Sequence, residues 1–129
     1  MNNKDGFEKT ITLNTSSVWI GDPLYALSFE QFVELCDNDG PIILDGTEIG
    51  IVHRTQGGDG AYSSSKGREY LMESAKLSII DGNFVNEYFH GGDSMINLEE
   101  GLHTITLIYE NGTFTFKVDG NEIERIEIN

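Results

Sequence analysis

Two short stretches of the chain place an aspartate after glycine and a tyrosine a few residues further on. "GDPLY" contains Asp22 and Tyr25, and "GDGAY" contains Asp59 and Tyr62. Each stretch lies where a predicted strand meets a loop. If the fold brings both loops to one end of the sheet, the two aspartates would flank a shallow cleft walled by the two tyrosines.

The charged residues of "KGREY" would lie near this cleft, with Arg68 or Glu69 completing the candidate site. Such a site would suit a small molecule such as a nucleotide or a sugar, either sequestered or slowly hydrolysed. The structural alternative is that both aspartates fix turns by accepting hydrogen bonds from loop amides. Because aspartate beside proline or glycine commonly does this, the turn-fixing interpretation is favoured.

Other arrangements that carry chemistry are not found in the sequence. Cys36 is the single cysteine, and the three histidines have no spacing that would build a zinc site. The stretch "DNDGPIILDGTE" has Ile42 where a calcium-binding loop needs glycine at its sixth position. The glycine-rich stretches "QGGDG" and "HGGDS" lack the lysine of a phosphate loop. We therefore predict no catalytic set, no metal and no cofactor.

The charge of the chain is strongly acidic. Asp and Glu number 22 against 8 Lys and Arg, giving a formal net charge of -14. Such a chain repels nucleic acid and favours a basic protein partner, although surplus carboxylates also serve solubility. No Lys or Arg occurs between Thr10 and His53, a stretch that contains seven acidic residues. The candidate contact residues in this stretch are Glu30, Glu34, Asp37 and Asp39.

The elements that must position these side chains are mostly strands. Four dipeptides that favour two-residue hairpin turns separate alternating apolar runs. They are Asp45-Gly46, Asp81-Gly82, Asn111-Gly112 and Asp119-Gly120. The sequence therefore predicts three antiparallel pairs, the last extended into a three-stranded meander with one buried face. Two more strands are predicted near Lys9 to Asn14 and Ser17 to Gly21.

One segment has helical rather than strand spacing. "LSFEQFVELCDNDG" repeats apolar residues at intervals of three and four, and Ser28 with Gln31 forms a capping box. This predicts a short helix near residues 28 to 37, with Cys36 packed as a thiol on its apolar side. The predicted fold is mainly β, an antiparallel β-sandwich or partly open barrel with one short helix, in a single domain over residues 1–129.

Several of these motifs resemble a family of small phage and bacterial proteins of uncharacterised function. The resemblance lies in "VWIGDPLY", "GDGAY", "KGREY" and "YENGTFTF". The family carries Trp-Ile-Gly-Asp-Pro-Cys-Tyr early in the chain and Gly-Asp-Gly-X-Tyr in the middle. This chain departs from that pattern at Leu24, in place of the cysteine, and at Glu73-Ser74-Ala75, near an Asp-Ala-Gly. The resemblance implies a β-rich fold and a phage or mobile-element setting.

Two function hypotheses follow. The first is a non-catalytic acidic binding protein, such as an anti-defence inhibitor or immunity protein that docks on a basic partner. The second is the small-molecule module or modest hydrolase described above. The late hairpin also reads like that of laminin-type lectin domains, but the N-terminus lacks the apolar core of a secretory signal. No apolar run is long enough to span a membrane, so we expect a cytoplasmic protein.

Overall fold

The strands of the protein form one large antiparallel sheet and a small hairpin. A computed structural model describes residues 6–34, 39–55, 58–85 and 95–128. The nine strands of this part of the chain are β1 Phe7–Gly21, β2 Gly40–Leu44, β3 Thr47–Arg54, β4 Gly60–Ser63, β5 Glu69–Met72, β6 Lys76–Asp81, β7 Met95–Glu110, β8 Thr113–Val118 and β9 Asn121–Glu127. The large sheet has the order β2-β3-β6-β1-β7-β8-β9, and β4 pairs with β5. The prediction of a mainly β, antiparallel and incompletely closed fold is confirmed.

The large sheet folds over on itself because its two longest strands change register midway. Between the pairs Thr15↔Gly101 and Ser17↔Asn97, β7 carries extra residues that β1 does not match. Such bulges bend a strand and increase its twist. The first part of β1 then pairs only with β7, and its last part also pairs with β6. β1 and β7 therefore belong to two layers, one holding β2, β3 and β6 and the other holding β8 and β9.

Aromatic contacts show that the two layers meet. The His53 ring on β3 lies 4.4 Å from the Phe7 ring on β1 and 4.8 Å from the Tyr109 ring on β7, measured between centroids. Since β6 separates β3 from β1 in the sheet order, these contacts require the sheet to curl. The main core fills the space between the layers. Its members from the layer of β3 and β6 include Val18, Ile20, Ile51, Leu77 and Ile79, and those from the other layer include Ile11, Leu13, Ile105, Leu107, Phe114 and Phe116.

A second, smaller core lies on the opposite face of β3 and β6. Trp19, Ile42 and Ile80 are buried there beneath the segment that contains Leu27 and the helix. Because β6 has a core on both faces, all of its side chains are buried.

The one α-helix in the described part of the chain, α1, spans Phe29–Glu34. Its predicted capping box is confirmed, because Gln31 N–H donates to Ser28 Oγ at 3.2 Å and Ser28 N–H donates to Gln31 Oε1 at 3.0 Å. The rest of the predicted helix, including Cys36, lies outside the described residues. No helix in the described ranges is long and apolar enough to cross a membrane.

Three of the four predicted hairpin turns are confirmed. Asp45, Asn111 and Asp119 all have a positive φ near 52° and are followed by a glycine with positive φ, as a tight turn between paired strands requires. The turn predicted at Asp81-Gly82 is wrong. Asp81 has a φ of -53° and ends β6, and its carboxylate accepts from the N–H of Asn83 at the start of a 3₁₀ turn.

The small hairpin covers one end of the main core. Tyr70 and Met72 of β5 are buried in that core, and Tyr62 of β4 packs against it. The tip of the hairpin is fixed to the outer strand β9 by a bridge between Ser64 and Ile126. The open end of the hairpin, opposite its tip, bears on the candidate site, because Asp59 precedes β4 and Glu73 follows β5.

Candidate functional site

Asp22 is fully buried, with none of its surface exposed. Its Oδ1 accepts a hydrogen bond from Leu24 N–H at 2.9 Å. Its Oδ2 accepts from the N–H of Glu73 at 2.7 Å and from that of Ser74 at 2.8 Å. The Ser74 hydroxyl also donates to Oδ1. Asp22 therefore fastens the end of β1 to the loop between β5 and β6, and its carboxylate faces loop donors rather than a cleft.

The local sequence explains why the chain turns sharply at Asp22. A side chain at Gly21 would place its Cβ 2.6 Å from the ring of Trp19, so only glycine fits there. Pro23 begins a 3₁₀ turn, Pro23–Tyr25, whose N-cap is Asp22, a position that suits proline because its missing N–H has no partner to lose. Asp22 therefore follows the last residue of β1 as the N-cap of this 3₁₀ turn.

Tyr25 lies among carboxylates. Burial raises the pKa of its phenol, and a hydrogen bond with Glu73 and the negative charges of Glu73, Asp22 and Asp59 raise that pKa further. The structure therefore brings Asp22, Tyr25 and Asp59 into one region. It adds Glu73, which the sequence analysis did not select.

Asp59 shares the local sequence of Asp22 but differs from it in burial and in hydrogen bonding. Its side chain is exposed, and within the described residues no hydrogen bond or ion pair holds its carboxylate. The glycines on either side have φ values of +81° and +155°, which let the loop turn without strain. The neighbouring Tyr62 donates its hydroxyl to the carbonyl of Gly58 at 3.0 Å and packs on the main core.

The structure does not place Arg68 and Glu69 beside the two aspartates. In the small hairpin Glu69 pairs with Ser63, whereas Gly60 pairs with Met72 at the opposite end. Since Asp59 precedes Gly60, the charged pair lies at the far end of the hairpin from it.

Arg68 instead belongs to a buried cluster that the sequence analysis missed. Its Nη1 donates to Glu124 Oε2 at 3.1 Å, and the Tyr70 hydroxyl donates to the same oxygen at 2.8 Å. Glu124 is fully buried, and the pKa of Tyr70 is raised by burial and by this hydrogen bond. A signal was available, because Glu124 occupies an inward position of β9 in line with the buried Ile126 and Ile128.

The acidic candidates separate into two kinds. Glu30 and Glu34 are exposed on α1. Asp39 is paired with Arg54, which lies just beyond the stretch without Lys or Arg and donates to its carboxylate from the backbone N–H at 2.9 Å and from Nε at 3.1 Å. Asp37 lies outside the described residues.

Each arginine of the chain is engaged by an internal carboxylate: Arg54 by Asp39, Arg68 by Glu124 and Arg125 by Glu122. The remaining exposed carboxylates have no ion pair within the described ranges. They are Glu8, Glu30, Glu34, Asp45, Glu48, Asp59, Glu69, Glu73, Glu99, Glu100, Glu110 and Glu127.

Within the part of the chain that the structure describes, no group of His, Cys, Asp and Glu side chains is arranged to hold a metal ion. No protein-family model, curated protein or solved structure matches the chain.

Proposed function

We propose that this chain is a non-catalytic binding protein whose acidic surface docks on a basic protein partner. The observation that carries the proposal is the surplus of exposed carboxylates without ion pairs, on a chain whose arginines are all engaged internally. Such a surface projects a negative field that accelerates encounter with a positive one. An inhibitor or immunity protein of a phage or mobile element would act in this way, in keeping with the resemblance of its motifs.

The placement of Asp22 and Arg68 also favours binding by the surface over a small-molecule site. The Asp22 carboxylate already accepts four hydrogen bonds, from Leu24, Glu73 and Ser74, and Arg68 is paired with Glu124. The second candidate, a small-molecule site, retains Asp59, Tyr25 and Glu73, because the negative charges of Asp59 and Glu73 both act on the Tyr25 phenol. It remains the alternative outcome of the experiment below.

The experiment compares two sets of amide substitutions that change net charge equally. The first set lies on α1 and on the hairpin of β2 and β3, in the layer that holds β2, β3 and β6, and is called the layer-one acidic set. It consists of Glu30→Gln, Glu34→Gln, Asp45→Asn and Glu48→Gln. The matched control set lies in the layer that holds β8 and β9 and at the register shift of β7. It consists of Glu8→Gln, Glu100→Gln, Glu110→Gln and Glu127→Gln. All eight side chains are exposed and unpaired, so neither set should disturb the fold.

Partners captured from a lysate of the source organism are first identified and then measured individually. We expect association to slow with rising salt over a range set by a Debye length of about 8 Å. The layer-one set should weaken affinity roughly tenfold or more, because rim charges act together although each contributes little. Equal effects of both sets would show that only net charge matters. Binding indifferent to salt and to both sets would overturn the proposal, and an effect of Asp59→Asn alone would support the small-molecule alternative.

A further inference from the structure

His103 is held between two hydrogen-bond acceptors. Its Nδ1 lies 2.7 Å from Asp119 Oδ2, in the turn between β8 and β9, and its Nε2 lies 2.5 Å from the backbone carbonyl oxygen of Glu99. Neither oxygen carries a proton to donate at neutral pH. A neutral imidazole has one donor and one acceptor nitrogen, so it would point a lone pair at one of these oxygens. Both contacts are satisfied only by the doubly protonated ring.

The hydrogen bond from His103 to the Glu99 carbonyl lies at the bend of β7. Glu99 lies between Asn97 and Gly101, in the register shift of β7 at which the sheet bends from one layer to the other. Asp119 lies in the turn between β8 and β9, and its carboxylate also accepts a hydrogen bond from Thr104 N–H at 2.9 Å. The turn therefore stays attached without His103, whereas the described hydrogen bond to the Glu99 carbonyl comes from the imidazole.

We propose that His103 is a proton-operated latch that holds the bend of β7 against the β8–β9 turn and releases it when the ring loses a proton. The charge-assisted bond to Asp119 is the stronger of the two, so the neutral ring keeps its Nδ1 proton. Nε2 then loses its proton, and the Glu99 carbonyl loses its donor.

The charged groups that face the ring favour the closed state. Asp119 comes from the β8–β9 turn and Glu99 from the ring's own strand, while Leu13, opposite on β1, carries no charge. The hydrogen bonds to Asp119 and to the Glu99 carbonyl raise the pKa of His103 above its ordinary 6.5, and His103 lowers the pKa of Asp119 below 3.8. Latch stability is therefore complete between these two ordinary values. It declines as pH rises through the raised pKa of His103.

The test is an NMR pH titration of the ¹⁵N-labelled imidazole and the ¹³C-labelled carbonyl of Glu99, with His53 as an internal reference. We expect both His103 nitrogens to stay protonated above the ordinary pKa. The Glu99 carbonyl shift should move with the same midpoint. Amides from Glu99 to Leu102 should then exchange roughly two- to tenfold faster than base catalysis alone predicts, as for one lost hydrogen bond. The amides of the Asn111–Gly112 turn give the reference for the pH dependence of exchange by base catalysis alone.

Two variants separate the latch from a general effect of pH. Asp119→Asn can still accept from Thr104 but removes the negative charge, so the midpoint should shift to lower pH. His103→Phe has no nitrogen that could donate to either acceptor, so its exchange should be fast and free of the His103 transition. A singly protonated His103 at pH 6, or a Glu99 carbonyl shift that does not follow the titration, would overturn the proposal without recourse to either variant.

Discussion

The loop after β1 and the loop before β4 share a glycine, an aspartate and a tyrosine but use the aspartate in opposite ways. Asp22 is buried and accepts hydrogen bonds from a loop 51 and 52 residues away in sequence. Asp59 is exposed, and its loop turns on flanking glycines. The difference shows that a carboxylate in this motif becomes structural when a distant loop supplies donors.

The largest effect that this comparison predicts is at Asp22. Asp22→Asn should lower the free energy of unfolding by about 2–4 kcal/mol, because the amide nitrogen would face N–H donors in a buried site. Denaturant unfolding should show a lower midpoint with an unchanged m-value. Ser74→Ala removes only one of the four contacts and should cost about 1 kcal/mol. Equal stability of Asp22→Asn and the parent would contradict the structural role.

A second buried carboxylate, Glu124, lies near the opposite end of the small hairpin and can be compared with Asp22. Tyr70→Phe removes one donor from Glu124 but leaves Arg68 in place. We expect a loss of about 1.5 kcal/mol, typical of a hydrogen bond to a charged group. Thermal unfolding of Tyr70→Phe and Arg68→Ala, singly and combined, gives the coupling. Strictly additive losses would show that Tyr70 and Arg68 do not share Glu124.

The smallest expected effect is at Asp59. Asp59→Asn should change the free energy of unfolding by less than about 0.5 kcal/mol, as exposed substitutions usually do. The same denaturation experiment measures it, with Asp22→Asn as the matched variant in the same local motif. A loss as large as that at Asp22 would erase the distinction between the two loops.

The fold could be predicted largely because its turns are local. Asp45-Gly46, Asn111-Gly112 and Asp119-Gly120 each join strands that pair with each other, so the dipeptide and the flanking alternation carry the information. Asp81-Gly82 failed because the Asp81 carboxylate also accepts from the Thr15 hydroxyl at 2.7 Å. That contact joins residues 66 positions apart, and the local sequence around Asp81 does not predict it.

The candidate site was predictable only in part, for the same reason. The motif selected Asp22, Tyr25 and Asp59, but Glu73 and Ser74, which it did not select, supply N–H donors to the Asp22 carboxylate. The role of Arg68 depended on Glu124, a partner 56 residues away. The spacing within a motif indicates which side chains could bind or react. The partners that those side chains meet in the folded chain decide whether they remain available to a ligand.

Hydrogen exchange at the backbone amides of Leu24, Glu73 and Ser74 tests the structural assignment of Asp22 most directly. These three N–H groups should exchange slowly in the parent protein, because each donates to the buried carboxylate. In Asp22→Asn their protection should fall, while protection in the β7–β8 hairpin stays unchanged. Fast exchange of all three amides in the parent, at the rate of open loops, would contradict the account.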